Sequence, residues 1–169
     1  MPNNLPYRPI LKLPKTKLEK IMDGIGILFF GAAIIFLMLN WNAIPGQVPA
    51  HFNGAGEVDR LGSKYELIIL PIIGLFIYAL MGLLEKAPHM HNYPERINES
   101  NAELFYLHSR KLLNIVKNIL LTVFAFLIVQ ISRVSLGEID TLSIGFVPII
   151  LLVLFGTIGI GLYKQSKIK

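Results

Sequence analysis

The chain has 169 residues, 53% of them apolar and 16% charged, with a formal net charge of +5. That length suits one compact domain, and the balance lies on the membrane side of soluble domains, which hold about 45–50% apolar and about 25% charged residues. The absence of cysteine excludes disulfides, thiolate metal sites and cysteine nucleophiles, and no basic stretch carries the interleaved aromatics of a nucleic-acid surface.

Residues 1–20 form a basic tail with Arg8, Lys12, Lys15, Lys17 and Lys20, interrupted by Pro2, Pro6, Pro9 and Pro14. Regular structure is not expected there before Thr16, and contact with anionic lipid headgroups is its simplest role. Gly24 to Asn40 is an uncharged run that ends at Trp41. A bilayer core about 30 Å thick needs about 20 helical residues and tolerates about 17, so the first span is placed at about 24–41. Its flank Asn40-Trp41-Asn42 offers no small-x-small cleavage site, so it reads as a retained anchor rather than a signal peptide.

After the loop 42–65 comes a second span at about 66–84, containing Pro71 and Gly74, which neighbouring helices of a bundle can accommodate. Loop 85–111 starts irregularly around Pro88 and Pro94. Its His89-Met90-His91 triplet has no acidic or thiolate partner nearby and is a weak metal signal. Ser100 and Glu103 have capping-box spacing, and Phe105, His108, Leu112 and Val116 recur at helical spacing. An amphipathic helix is therefore expected to run into a third span at about 112–132. Lys117, near the start of that span, is expected to snorkel to the headgroups. The fourth span, at about 142–163, holds Pro148 and the glycines Gly156, Gly159 and Gly161, which allow close helix approach.

Thirteen of the sixteen Lys and Arg residues fall in the two tails and the segment joining the second and third spans, Lys117 included; the other two loops hold only Arg60, Lys64 and Arg133. By the positive-inside rule both termini are cytoplasmic, and Trp41, Tyr65 and Tyr163 mark span ends. The expected fold is all-α, an integral-membrane four-helix bundle (residues 21–169) with a structured extracytoplasmic loop between the first two helices.

That loop is too long for a plain connector. It combines Pro45, Gly46, Pro49, Gly54, Gly56 and Gly62 with apolar Val48, Phe52, Val58 and Leu61, and Asn53-Gly54 suits a tight turn between extended pieces. A small folded cap is expected, exposing His51, Asn53, Glu57, Asp59, Arg60, Ser63 and Lys64. Ser63, His51 and Asp59 formally make a hydrolytic set, but neither a strained elbow nor an oxyanion site accompanies them. His51, Glu57 and Asp59 are chemically able to hold zinc, yet their spacing matches no strong motif. Two further readings compete: a recognition surface for an extracytoplasmic ligand centred on His51, Asn53, Asp59 and Lys64, and side chains that merely hold the loop closed. The expectation is no enzyme, no cofactor and no metal.

The run from Ile44 to Lys64 resembles the signature of SdpI-type membrane proteins of bacteria, mainly Gram-positive, which share a domain of unknown function. Pro45, Pro49, His51, Phe52, Asn53, Gly56, Asp59, Gly62, Ser63 and Lys64 match that pattern, with Ile44 where leucine is commoner. Asn92-Tyr93-Pro94, Ile97, Asn101-Ala102 and Leu107 through Leu112 are similar to one branch of the family. Named members confer immunity to a secreted membrane-active peptide and help to signal its presence, and they carry a second membrane domain after this one. The resemblance implies a bacterial cell membrane and no catalytic residue or cofactor. Its functional expectation is resistance to, or sensing of, an extracytoplasmic peptide or envelope ligand. The alternatives are a transporter subunit or small-solute carrier, for which the spans offer no ionisable residue at mid-depth, and a structural partner of another membrane protein.

Overall fold

The computed structural model describes residues 7–143 and 145–169, so Pro2 and Pro6 of the tail lie outside the described residues. Residues 7–15 are irregular, and helix α1 spans Lys17–Asn40. Its start is fixed by a capping box. The Thr16 hydroxyl accepts from the Glu19 N–H, and the Glu19 carboxylate accepts from Thr16, which satisfies donors that the first turn leaves free. Strands β1 (Gln47–Phe52) and β2 (Val58–Ser63) follow as an antiparallel pair. A 3₁₀ segment, Lys64–Ile68, leads into α2 (Ile69–Lys86), and α3 (Ala102–Ser135) and α4 (Phe146–Ser166) complete the chain.

All four helices are long and apolar enough to cross a membrane. Each expected span lies on one of them, shifted by a few residues at the ends. The all-α expectation needs correction, because the loop between α1 and α2 contains a two-stranded sheet. Pro148 needs no repair by neighbouring helices, since it is the third residue of α4, where the missing N–H would have had no intrahelical partner; Pro71 stands third in α2, directly after the 3₁₀ segment.

Helix α3 is the axis of the molecule, and α1, α2 and α4 all pack against it. Phe30, Ala33 and Leu37 of α1 meet Leu121, Ala125 and Ile128 of α3, and Ile44, Val48 and Leu67 close this core from the loop side. Gly74 admits the close approach of α2, since a Cβ there would stand 2.5 Å from the Phe30 ring. On α4 only Gly161 meets a neighbour, the Leu112 side chain; a Cβ on Gly156 or Gly159 would meet nothing.

A second core lies at the opposite end from the sheet. Tyr93, Ile97, Ala102, Phe105 and Tyr106 are buried together, with Leu11, Leu13 and Ile168 packed on them. The Arg96 guanidinium donates to the carbonyls of Gln165, Ser166 and Ile168, and the His108 ring lies 2.7 Å from the Gly161 carbonyl oxygen. Both tails therefore dock at one end of the bundle. Arg8 adds to this packing with hydrogen bonds to the His89 and His91 carbonyls and a stack on Tyr93, while Lys12, Lys17 and Lys20 of the basic segment remain exposed. The expected Ser100–Glu103 capping box is absent, because the Ser100 N–H and hydroxyl are both bound by Asn98 Oδ1.

Candidate functional site

The cap is built from the end of α1 outward. The chain turns at Trp41, and Ile44 and Val48 fill the gap above Leu37 and Ile128. Lys64 reaches back under the sheet, donating to the Trp41 carbonyl at 3.2 Å with its ammonium 4.9 Å from the Trp41 ring centre. A cation is favoured there by the negative end of the helix dipole and the face of the indole.

The β1–β2 turn is held by Asn53, whose Oδ1 accepts from the Ala55 and Glu57 N–H groups at 2.9 and 3.0 Å and whose amide donates to the Glu57 carboxylate. Gly56 takes a φ of 78°, a left-handed conformation that glycine adopts without steric cost. Gly62 is required for space: a Cβ there would lie 2.1 Å from a Glu66 carboxylate oxygen and 2.8 Å from the Ala50 Cβ. Ser63 and Glu66 cap the following 3₁₀ segment reciprocally. Pro49 is buried opposite Leu61, Phe52 is half-buried opposite Val58, and Pro45 is exposed at the entry to β1.

The four ligand candidates thus divide. His51 Nδ1 lies 2.6 Å from Asp59 Oδ1, with 65% and 41% of the two side chains exposed. The structure brings this pair together on the outer surface. Asn53 and Lys64 are instead engaged in holding the loop. Ser63 stands beside Gln47 in the strand register, away from His51 and Asp59, and its hydroxyl caps Tyr65. Glu57 is turned toward Asn53. Among the described residues, no three His, Cys, Asp or Glu side chains gather as a metal set. His91 has both ring nitrogens in hydrogen-bond contact, with Ser109 Oγ at 2.7 Å and the Leu84 carbonyl at 2.9 Å.

A second polar centre was not foreseen. Lys117 does not snorkel: its side chain is 1% exposed, with the ammonium 2.9 Å from Asp23 and 2.6 Å from Glu85. Lys15, from the tail, also pairs with Asp23 and Glu85, and the amides of Asn114 and Asn118 donate to Asp23 at 2.8 and 3.0 Å. Beside this group Arg110 forks onto Glu19 at 2.9 and 3.0 Å and reaches the Leu13 carbonyl. Two cations facing two carboxylates balance, as burial of ions demands. Burial pulls the Lys15 pKa down, but its hydrogen bonds to Asp23 and Glu85 outweigh that and hold it above the ordinary lysine value. A partly open cavity of about 80 Å³ adjoins the cluster, between Lys15, Glu85 and Arg110. One signal was present in the sequence. Arg110, Asn114, Lys117 and Asn118 form a polar stripe at helical spacing along α3, yet their partners sit at the edges of two other apolar runs.

Comparison with known proteins bears on the cap. Residues 27–75, from α1 through both strands into α2, match the model of a domain of unknown function, DUF1648. The chain resembles that family over less than a third of its length. An uncharacterized protein of Archaeoglobus fulgidus is 29% identical over 101 residues, which cover 59% of this chain and 54% of the relative. The chain thus spans about half the length of the curated relative it matches. No solved structure matches.

Proposed function

We propose that this is a multi-pass protein of the bacterial cell membrane whose cap, residues 42–65, faces outward and recognises an extracytoplasmic peptide or envelope ligand. The distribution of Lys and Arg supports the orientation, and the resemblance of Ile44–Lys64 to SdpI-type proteins supports a role in resistance or sensing. The observation that carries the reading is the His51–Asp59 pair. Most motif residues are consumed in building a rigid platform, whereas these two are hydrogen-bonded to each other on its open surface. An imidazole beside a carboxylate offers both a polar ring and an anionic acceptor to an incoming ligand. Neither a cofactor nor a metal enters this reading.

The test is survival. Cells expressing the protein are expected to outlive control cells under at least one membrane-active peptide. His51→Ala and Asp59→Ala are expected to remove that protection at unchanged membrane levels. Equal survival across a broad peptide panel contradicts the reading.

A second reading, a carrier or transporter subunit, is favoured by the buried Lys117–Asp23–Glu85 cluster, since ionisable groups within membrane-spanning helices often line substrate paths. Solute flux into proteoliposomes that Lys117→Met abolishes would put this reading in place of the first.

A further inference from the structure

The sheet of the cap has two edges, and they differ. β1 carries Pro49 and lies against the bundle, with Val48 fully buried beneath it. β2 contains no proline and is exposed along most of its length. The ladder fixes which of its backbone groups are free. The Lys64 N–H donates across to the Gly46 carbonyl, and the register continues through Gln47–Ser63 and Val48–Gly62 to Pro49–Leu61. In an antiparallel pair the bonded and non-bonded positions alternate. Gly62 therefore faces β1, while Ser63 and Leu61 turn their N–H and carbonyl groups the other way. Two observations agree with this phase. The Ser63 N–H is taken by the Glu66 carboxylate outside the ladder, and Pro49, opposite Leu61, has no N–H to give.

Leu61 thus presents an N–H and a carbonyl along an open edge, and its side chain is 57% exposed. A two-stranded sheet is marginal alone, and a third strand is its natural completion. Charge selects the occupant. Arg60 is turned onto the Ala50 carbonyl and Glu66, and Lys64 points under the sheet. Arg60 stays more than half exposed, but the cap's three carboxylates, Glu57, Asp59 and Glu66, outnumber Arg60 and Lys64, and Asp59 keeps 41% of its side chain exposed beside His51.

We infer that β2 accepts an extended cationic peptide as a third strand, paired through the backbone of Leu61, with a basic side chain of the peptide set against Asp59. This deepens the recognition reading and rests on it. Main-chain hydrogen bonds supply affinity in such strand addition, and the flanking side chains supply selectivity.

The experiment uses the full chain in phosphatidylcholine nanodiscs, a lipid without net charge, and an acetylated, amidated eight-residue peptide of alternating Lys and Val. Binding is read by fluorescence anisotropy against empty nanodiscs. Leu61→Pro removes one outward N–H that the β1–β2 ladder does not use, so the fold is retained, as emission from Trp41 checks. The variant is expected to weaken binding several-fold and up to about tenfold, the worth of the one main-chain hydrogen bond it removes. Methylating alternate amides of the peptide is expected to do the same with the protein unchanged, which covers a misfolded Leu61→Pro. Binding to the wild type that is indifferent to both changes overturns strand addition, and so does binding no tighter than to empty nanodiscs. If Asp59→Ala alone weakens it, the cap remains a recognition surface without the edge. The survival assay judges that wider reading separately.

Discussion

Lys117 and His51 show how a side chain's role follows from where its charge can go. Lys117 is buried between Asp23 and Glu85 and pairs with both. Lys117→Met leaves two carboxylates to share Lys15. Breaking a buried pair costs about 3–5 kcal/mol, so the variant is expected to unfold at markedly lower denaturant in detergent, followed through Trp41. Replacing Glu85 by Leu in the same chain is expected to recover part of that loss, because the unpaired charge goes with it. The Lys15 shift has a defined sign. A lysine held above its ordinary value contributes stability that is complete below about pH 10 and is lost as pH rises through the folded value. Amide exchange in the docked tail is therefore expected to show equal protection at about pH 6 and about pH 9 once corrected for intrinsic rates. The polar density of residues 51–64 was legible in the sequence. Which of those side chains face outward was not, because that depends on strand register and on the irregularity between Pro49 and Phe52.

At the scale of elements the four helices were legible because each apolar run is long and nearly uncharged, and composition alone decides such segments. The amphipathic lead into α3 was legible through its spacing. The docking of both tails was not. Leu11, Leu13 and Ile168 lie in short stretches among prolines and lysines, and only the tertiary arrangement gives them a shared core. The Arg96 clamp makes this testable. Arg96→Ala removes hydrogen bonds to the Gln165, Ser166 and Ile168 carbonyls. Amide exchange is expected to rise in the last five residues and in 11–13, with the middle of α4 unchanged. In the cap, Gly62→Ala drives a Cβ into the Glu66 carboxylate and Ala50. It is expected to cost about 1–3 kcal/mol as overpacking does, and to abolish protection together with the cap's exchange protection.

The whole molecule has two unlike ends: a small sheet seated on one end of the bundle, and both tails, loop 85–111 and the ion cluster gathered at the other. The proposed function requires the sheet to face outward, and the chain's lack of cysteine makes that directly measurable. Ala55 and Glu99 are exposed and lie at opposite ends. Ala55 is preferable to Asn53 as a labelling position because the Asn53 side chain holds the turn. Intact cells carrying Ala55→Cys or Glu99→Cys are treated with a membrane-impermeant maleimide and compared with cells opened by detergent. The account predicts labelling of the Ala55 position in intact cells and of the Glu99 position only after opening. Labelling of Glu99→Cys but not Ala55→Cys in intact cells would contradict it, since the His51–Asp59 pair and the free edge of β2 would then face the cytoplasm.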